Sequence, residues 1–175
     1  MSSSFSRLLG DRQRFRSASS ASWRAIEEWV GEELPHDYRE LVDGYGDAVL
    51  AGHLYLPHPE GSEPLLGFME DHQGGHHTVY REEDVARMPD SVSAVWSRIV
   101  PWAYHDWNGD ECLLLPPTGK AGWQVAVSFR QYPGVTPVPG GTTEFIEGIL
   151  SEDRMPRGWP KGRPAWKSIE DSPLI

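Results

Sequence analysis

Two groups of side chains in this sequence have residue types that could do chemistry. The first is His105, Asp106, Asp110 and Glu111, gathered around the dipeptide Asn108-Gly109. Two carboxylates on neighbouring strand ends can serve as an acid/base pair or hold a divalent cation, and the imidazole could carry the proton. Catalysis also requires an orienting partner for the reacting group and a pocket from which water is excluded. A tight hairpin recruits Asp and Asn for backbone reasons alone, and an exposed turn offers no such pocket. The group reads as a turn, with no catalytic residue in it.

The second group is His72, His76 and His77, beside Glu70 and Asp71 in EDHQGGHHTVYREEDV. Imidazole and carboxylate are ordinary zinc ligands. The spacing matches no ligand signature, however, and neither an HExxH motif nor paired cysteines accompany it. Gly74 and Gly75 make the segment read as a flexible loop whose histidines titrate near neutral pH. The expectation is no metal and no cofactor.

The remaining signatures of catalysis are missing. There is no Gly-rich phosphate loop, no nucleophile elbow and no dinucleotide fingerprint. The single cysteine, Cys112, lies in ECLLLPP, where a buried strand thiol is expected. It has no partner for an internal disulfide, which fits a reducing cytoplasm. A reactive thiol would need a cationic neighbour or helix N-terminus to lower its pKa, and none is evident.

Charge narrows the choice of partner. The net charge is −10 over 175 residues, but residues 1–20 carry four Arg against one Asp, and 151–175 carry five Lys or Arg against four acids. The segment between them therefore holds seven basic and 21 acidic residues, a net of −14. Nucleic acids are bound mainly through basic side chains, so this sign opposes DNA and RNA and favours a basic protein. A merely solubilising surface would also be acidic. No apolar run approaches the roughly 18 residues that span a bilayer, and the Ser- and Arg-rich start has no apolar stretch of a secretory signal. The expected location is cytoplasmic.

The elements that must position these residues follow from periodicity. The first twenty residues have few apolar anchors and read as a mobile tail, residues 1–19. Trp23, Ile26 and Val30 then mark a helix, with Ser22 as its cap and Gly31 as its end. Pro35 suits the start of a second helix, in which Leu34, Tyr38, Leu41, Val42 and Tyr45 form an apolar stripe. Gly44 and Gly46 release the chain into a strand over 48–56. Pro57, Pro59, Gly61 and Pro64 indicate a loop, and 65–69 a further short strand. Asp90 opens a helix through Val92, Val95, Trp96 and Ile99, stopped by Pro101.

PWAYHD, ECLLLPP and GWQVAVSF then read as an antiparallel meander, with Asn108-Gly109 the strongest hairpin signal in the chain. Leu113, Leu115, Val125 and Val127 belong to its core. Thr142 or Thr143 caps a last helix that buries Phe145, Ile146, Ile149 and Leu150. The fold class is α+β: one domain over residues 20–150, an antiparallel sheet with helices packed on it. Residues 151–175 combine prolines with Trp159 and Trp166 and read either as an extended strap over the domain or as a partner-docking peptide.

The unit LPHDYRELVDGYGDAVLAGHLYLPHP, with WRAIEEWVGEELP before it and PWAYHDWNGDECLLLP, GWQVAVSF and TTEFIEGIL after it, resembles the SUKH superfamily. That superfamily includes bacterial immunity proteins against polymorphic toxins and fungal regulators of cell-wall assembly. The resemblance implies a binding fold without turnover. Two functions stay open: an immunity protein that neutralises a basic toxin, such as a nuclease, or an intracellular regulatory or scaffold module for a host partner. The side chains expected at a partner surface are acids that no cap requires, Glu70, Asp71, Glu82, Glu83, Asp106, Asp110 and Glu111, with Tyr104 and Trp107 as aromatic anchors. Nucleic acid and membrane are not expected partners, and the free protein is expected to be a monomer.

Overall fold

A computed structural model describes residues 4–10, 17–119, 121–132, 134–161 and 166–169. Seven strands form one antiparallel sheet in the order β6-β5-β4-β3-β2-β1-β7. In chain order they are β1 (Ala48–Leu50), β2 (Leu54–Leu56), β3 (Val100–His105), β4 (Glu111–Leu115), β5 (Gln124–Phe129), β6 (Gly134–Val138) and β7 (Trp166–Ser168). The helices are α1 (Ser4–Leu9), α2 (Ser20–Val30), α3 (His36–Tyr45), α4 (Leu65–Val79), α5 (Glu82–Ala86), α6 (Asp90–Ser93) and α7 (Thr142–Leu150). The class is α+β, with helices on the sheet as the periodicity indicated. No helix among the described residues is long and apolar enough to cross a membrane.

Strand alternation divides the sheet between two cores. Cys112, Leu114, Val125 and Val127 face one side, where they join Phe5 of α1, Trp23 and Ile26 of α2, Tyr38 and Leu41 of α3 and Phe145 and Ile149 of α7. Leu113, Leu115, Ala126 and Val135 face the other, against Met88, Val92, Val95, Trp96 and Ile99. The register of β3 on β4 shifts between Pro101 and Ala103. That bulge delivers Trp102 to the first core, edge-on to Tyr38 and Phe145.

Several elements differ from the sequence expectation, each for a local reason. The 48–56 segment is two strands, not one, because the chain reverses over 51–53, with Ala51 and Gly52 at positive φ. Residues 65–69 are the start of α4, not a strand, and the segment of the glycine pair continues that helix. The helix expected from Asp90 to Pro101 is α6 followed by a 3₁₀ turn over Trp96–Arg98, and Pro101 lies inside β3. Ser19 is the cap of α2, accepting from the Ser22 backbone N–H at 3.2 Å. Gly141 takes that position in α7, its N–H held by Glu144 at 2.9 Å.

The chain ends also depart from a plain tail. Phe5 and Leu9, one helical turn apart, are buried, and α1 packs on α7. Trp159 is buried, and β7 runs antiparallel to β1, with the Trp166 indole N–H donated to the Tyr45 carbonyl at 2.9 Å. The other parts of the expected tail and strap, residues 1–3, 11–16, 162–165 and 170–175, lie outside the described residues.

Candidate functional site

One row of side chains crosses the sheet on the face of the second core. The register places Val49, Tyr55, Tyr104, Glu111, Ser128 and Val135 opposite one another on successive strands β1 to β6. Directly opposed residues point to the same face, so this row is a continuous surface. Helix α4 lies along it. Its residues at steps of four, Phe68, His72 and His76, share one helical face. Phe68 meets the Tyr55 ring, and His72 meets Tyr104 edge-on at 5.8 Å while stacking on Phe68 at 4.0 Å.

At Glu111 this arrangement becomes a polar clip. His72 Nδ1 lies 2.6 Å from one carboxylate oxygen and His76 Nε2 lies 2.6 Å from the other. An ionised carboxylate only accepts, so both nitrogens carry protons and donate. Burial pushes the Glu111 carboxyl up, but the hydrogen bonds and charge of the two imidazoles outweigh it and leave the pKa below the ordinary value. For His72, burial acts downward, and the hydrogen bond and charge of Glu111, with Glu63 and Asp71 behind, raise the pKa above 6.5. The ion pair is thus favoured from both sides.

The clip forms the floor of a cleft of about 1090 Å³ between α4, α5 and the strands β4 to β6. Tyr80, Met88, Phe129 and Val135 supply its apolar walls, and Asp71, Asp84, Arg87 and Arg130 its charges. A carboxylate-held imidazole is a common way to fix a tautomer. No thiol reaches this one, because Cys112 points to the opposite face and burial keeps its pKa well above the ordinary value. Among the described residues, no group of three His, Cys, Asp or Glu side chains is arranged to hold a metal ion.

The nominated partner residues fall in three places. Tyr104, Glu111 and Asp71 line the cleft. Glu70, Glu82 and Glu83 are exposed on α4 and α5. Asp106 and Trp107 lie in the β3–β4 turn, where Trp107 is 46% exposed over the buried His53 and His105 rings. Asp110 is withdrawn from the surface: it is 2% exposed and accepts from the Arg130 backbone N–H and the Trp159 indole, both at 2.9 Å. Its carboxylate builds the hairpin and is not available to a partner.

His105, nominated for chemistry with Asp106, Asp110 and Glu111, also serves the turn. Its Nδ1 accepts from the Trp107 and Asn108 backbone N–H groups at 3.2 and 3.3 Å. The proton is therefore on Nε2, which is buried with no hydrogen-bond partner among the described residues. Desolvation lowers the pKa to about 4, so the ring is neutral at physiological pH. Its side chain and that of Glu111 share no site, since alternate strand positions face opposite sides and the partner of Glu111 is Tyr104, not His105.

Sequence reasoning missed His72 and His76 as site residues. The signal was the four-residue recurrence Phe68, His72, His76, Tyr80, which is helical. His77 stands off the clip, its Nε2 donating to the Trp96 carbonyl at 2.8 Å. Comparison with protein-family models, with curated proteins and with solved structures returned no match to this chain.

Proposed function

We propose that this chain is a protein-binding module without turnover of its own, an immunity protein that neutralises a basic toxin, such as a nuclease, by covering it with an acidic face. One observation carries this reading: the acids of α4 and α5 are not neutralised internally. Glu70, Asp71, Glu82 and Glu83 are exposed, and among the described residues the only ion pair of an Arg or Lys with a carboxylate is Arg39–Glu27 at 2.8 Å. Such a field speeds encounter with a cationic partner, and an apolar contact nearby then holds it. Val79, 73% exposed at the end of α4, and Trp107 are two of the large exposed apolar side chains available for that contact. The resemblance of the sequence to the SUKH superfamily points the same way.

The gene neighbourhood supplies the trial: a toxin encoded directly upstream is co-expressed with this chain. Survival that depends on this chain, together with co-purification of the pair, is the expected result. Cells that die equally fast with and without it would remove the immunity reading and favour a regulatory or scaffold role.

A further inference from the structure

The cleft holds cations that nothing in the described structure answers. Arg87 follows α5 and Arg130 follows β5, and both line it. Neither guanidinium has an ion pair or hydrogen bond among the described residues, in contrast to Arg39 with Glu27. The carboxylates of the same cleft are largely engaged. Glu111 is held by two imidazoles, and Asp84 accepts from the Arg81 N–H at 2.9 Å at the start of α5. Asp71, exposed on α4, is the remaining acid. Within a segment of net −14, this concavity holds two guanidinium groups without an ion pair, beside the carboxylates of Asp71 and Asp84.

Arg130 is also positioned. Its backbone N–H is fixed by Asp110, and its stem lies against Gly109, where an added Cβ would stand 2.8 Å from Cδ and 3.1 Å from one terminal nitrogen. Gly109 has φ +79°, a conformation that glycine adopts without penalty. The turn thus leaves room for the arginine to lie along the cleft wall. The rings of Tyr80, Tyr104 and Phe129 line the same cleft. Small-molecule sites typically measure about 300 to 1000 Å³, lined by apolar and aromatic groups with a few convergent polar ones. A cleft of about 1090 Å³ is of that order.

We infer that this cleft is a binding site for a small aromatic anion of about mononucleotide size, its phosphate or carboxylate taken by Arg87 and Arg130 and its ring by the aromatic wall. Guanidinium groups grip planar or tetrahedral oxyanions through paired N–H donors, which suits them to either acid. The inference goes beyond the protein-binding reading and does not depend on it.

The full chain is titrated with adenosine monophosphate, adenosine, inorganic phosphate and indole-3-acetate, followed by the arginine side-chain NMR signals and by calorimetry. Expected are saturable shifts of the Arg87 and Arg130 signals with adenosine monophosphate or indole-3-acetate, and binding at least about ten-fold weaker for adenosine and for phosphate alone. R87Q and R130Q should each weaken the binding of the aromatic anion about ten-fold at an unchanged melting temperature. Arg24→Gln, on the outer side of α2, serves as the control and should change nothing. Phosphate binding as tightly as the nucleotide, adenosine binding as tightly, undiminished affinity in R130Q, or no binding by any probe at millimolar concentration would each overturn the assignment.

Discussion

The Trp159 indole donates its N–H to Asp110 Oδ2 at 2.9 Å, joining the segment after α7 to the foot of the β3–β4 hairpin. Both groups are buried, and Trp159 also meets the His53, His105 and Phe145 rings. Trp159→Ala should therefore cost about 3 kcal/mol or more in urea unfolding, as deletion of a buried large aromatic does. Trp159→Phe keeps most of the packing and leaves Asp110 Oδ2 without its donor, for about 1–3 kcal/mol. If the alanine variant unfolds at the wild-type midpoint, the segment contributes nothing to the domain.

Glu111→Gln should destabilise the fold by about 1–3 kcal/mol, since one of the two oxygens that accept from the imidazoles becomes an NH2 donor. A second readout isolates the clip. Without the carboxylate, burial is opposed only by the charges of Glu63 and Asp71, and the His72 pKa measured by NMR should fall from its raised value. A His72 titration unmoved by the substitution would mean that the hydrogen bond is not formed in solution.

Stability should decline in acid through His105. Its folded pKa is lowered to about 4 from 6.5, so the unfolded state takes up the proton first as the pH falls. The neutral ring's contribution is complete above pH 6.5 and is lost progressively between about 6.5 and 4. Glu111, whose pKa lies below its ordinary 4.5, adds a loss at still lower pH. His72 has the opposite sign: its contribution is present below 6.5 and fades as the pH rises through the raised folded value. His105→Asn keeps an acceptor for the turn and should flatten the decline between pH 6.5 and 4, measured as melting temperature against pH.

Gly74 and Gly75 lie in the middle of α4, exposed, with nothing within 4 Å of where a Cβ would stand. Alanine there removes the backbone-entropy penalty of glycine, so Gly74→Ala should stabilise the protein by about 0.5–1 kcal/mol. A loss of stability in thermal denaturation would mean that the helix is interrupted at this point.

For a basic partner, Glu82→Lys with Glu83→Lys should slow association and reduce its salt dependence, while Trp107→Ala should mainly speed dissociation. The lysine variant should keep folding stability within about 1 kcal/mol, because the acids are exposed. Trp107→Ala also uncovers the His53 and His105 rings, so its melting temperature is measured alongside. Surface plasmon resonance at two salt concentrations separates the two effects. Equal association rates for wild type and the lysine variant would remove the acidic face from the interface.

The sequence carried the meander and the main helices because their apolar periodicities are uninterrupted. It concealed α4, since two glycines broke the pattern that Phe68, His72, His76 and Tyr80 otherwise make, and glycine disfavours an isolated helix. What secures α4 is packing on β3 and the clip to Glu111, a residue 39 positions from His72 in sequence. No local pattern announces so distant a bond. Likewise β6 has Pro137 inside it, which weakens a strand pattern in sequence, though an edge strand can accept the proline. Phe5 and Leu9 were visible as a pair one turn apart, but their burial depends on α7, far along the chain.

The two outer strands of the sheet have a consequence for how copies of this molecule meet. On one side Pro137 deletes a donor from β6, and on the other the described part of β7 is three residues long, Trp166 to Ser168. A strand from a neighbouring molecule would find an interrupted ladder at either margin, and short or proline-bearing margins of this kind discourage strand-to-strand growth. Margins of this kind disfavour templated fibre extension, so that at high concentration contacts between copies are expected to come from side chains more than from shared backbone hydrogen bonds.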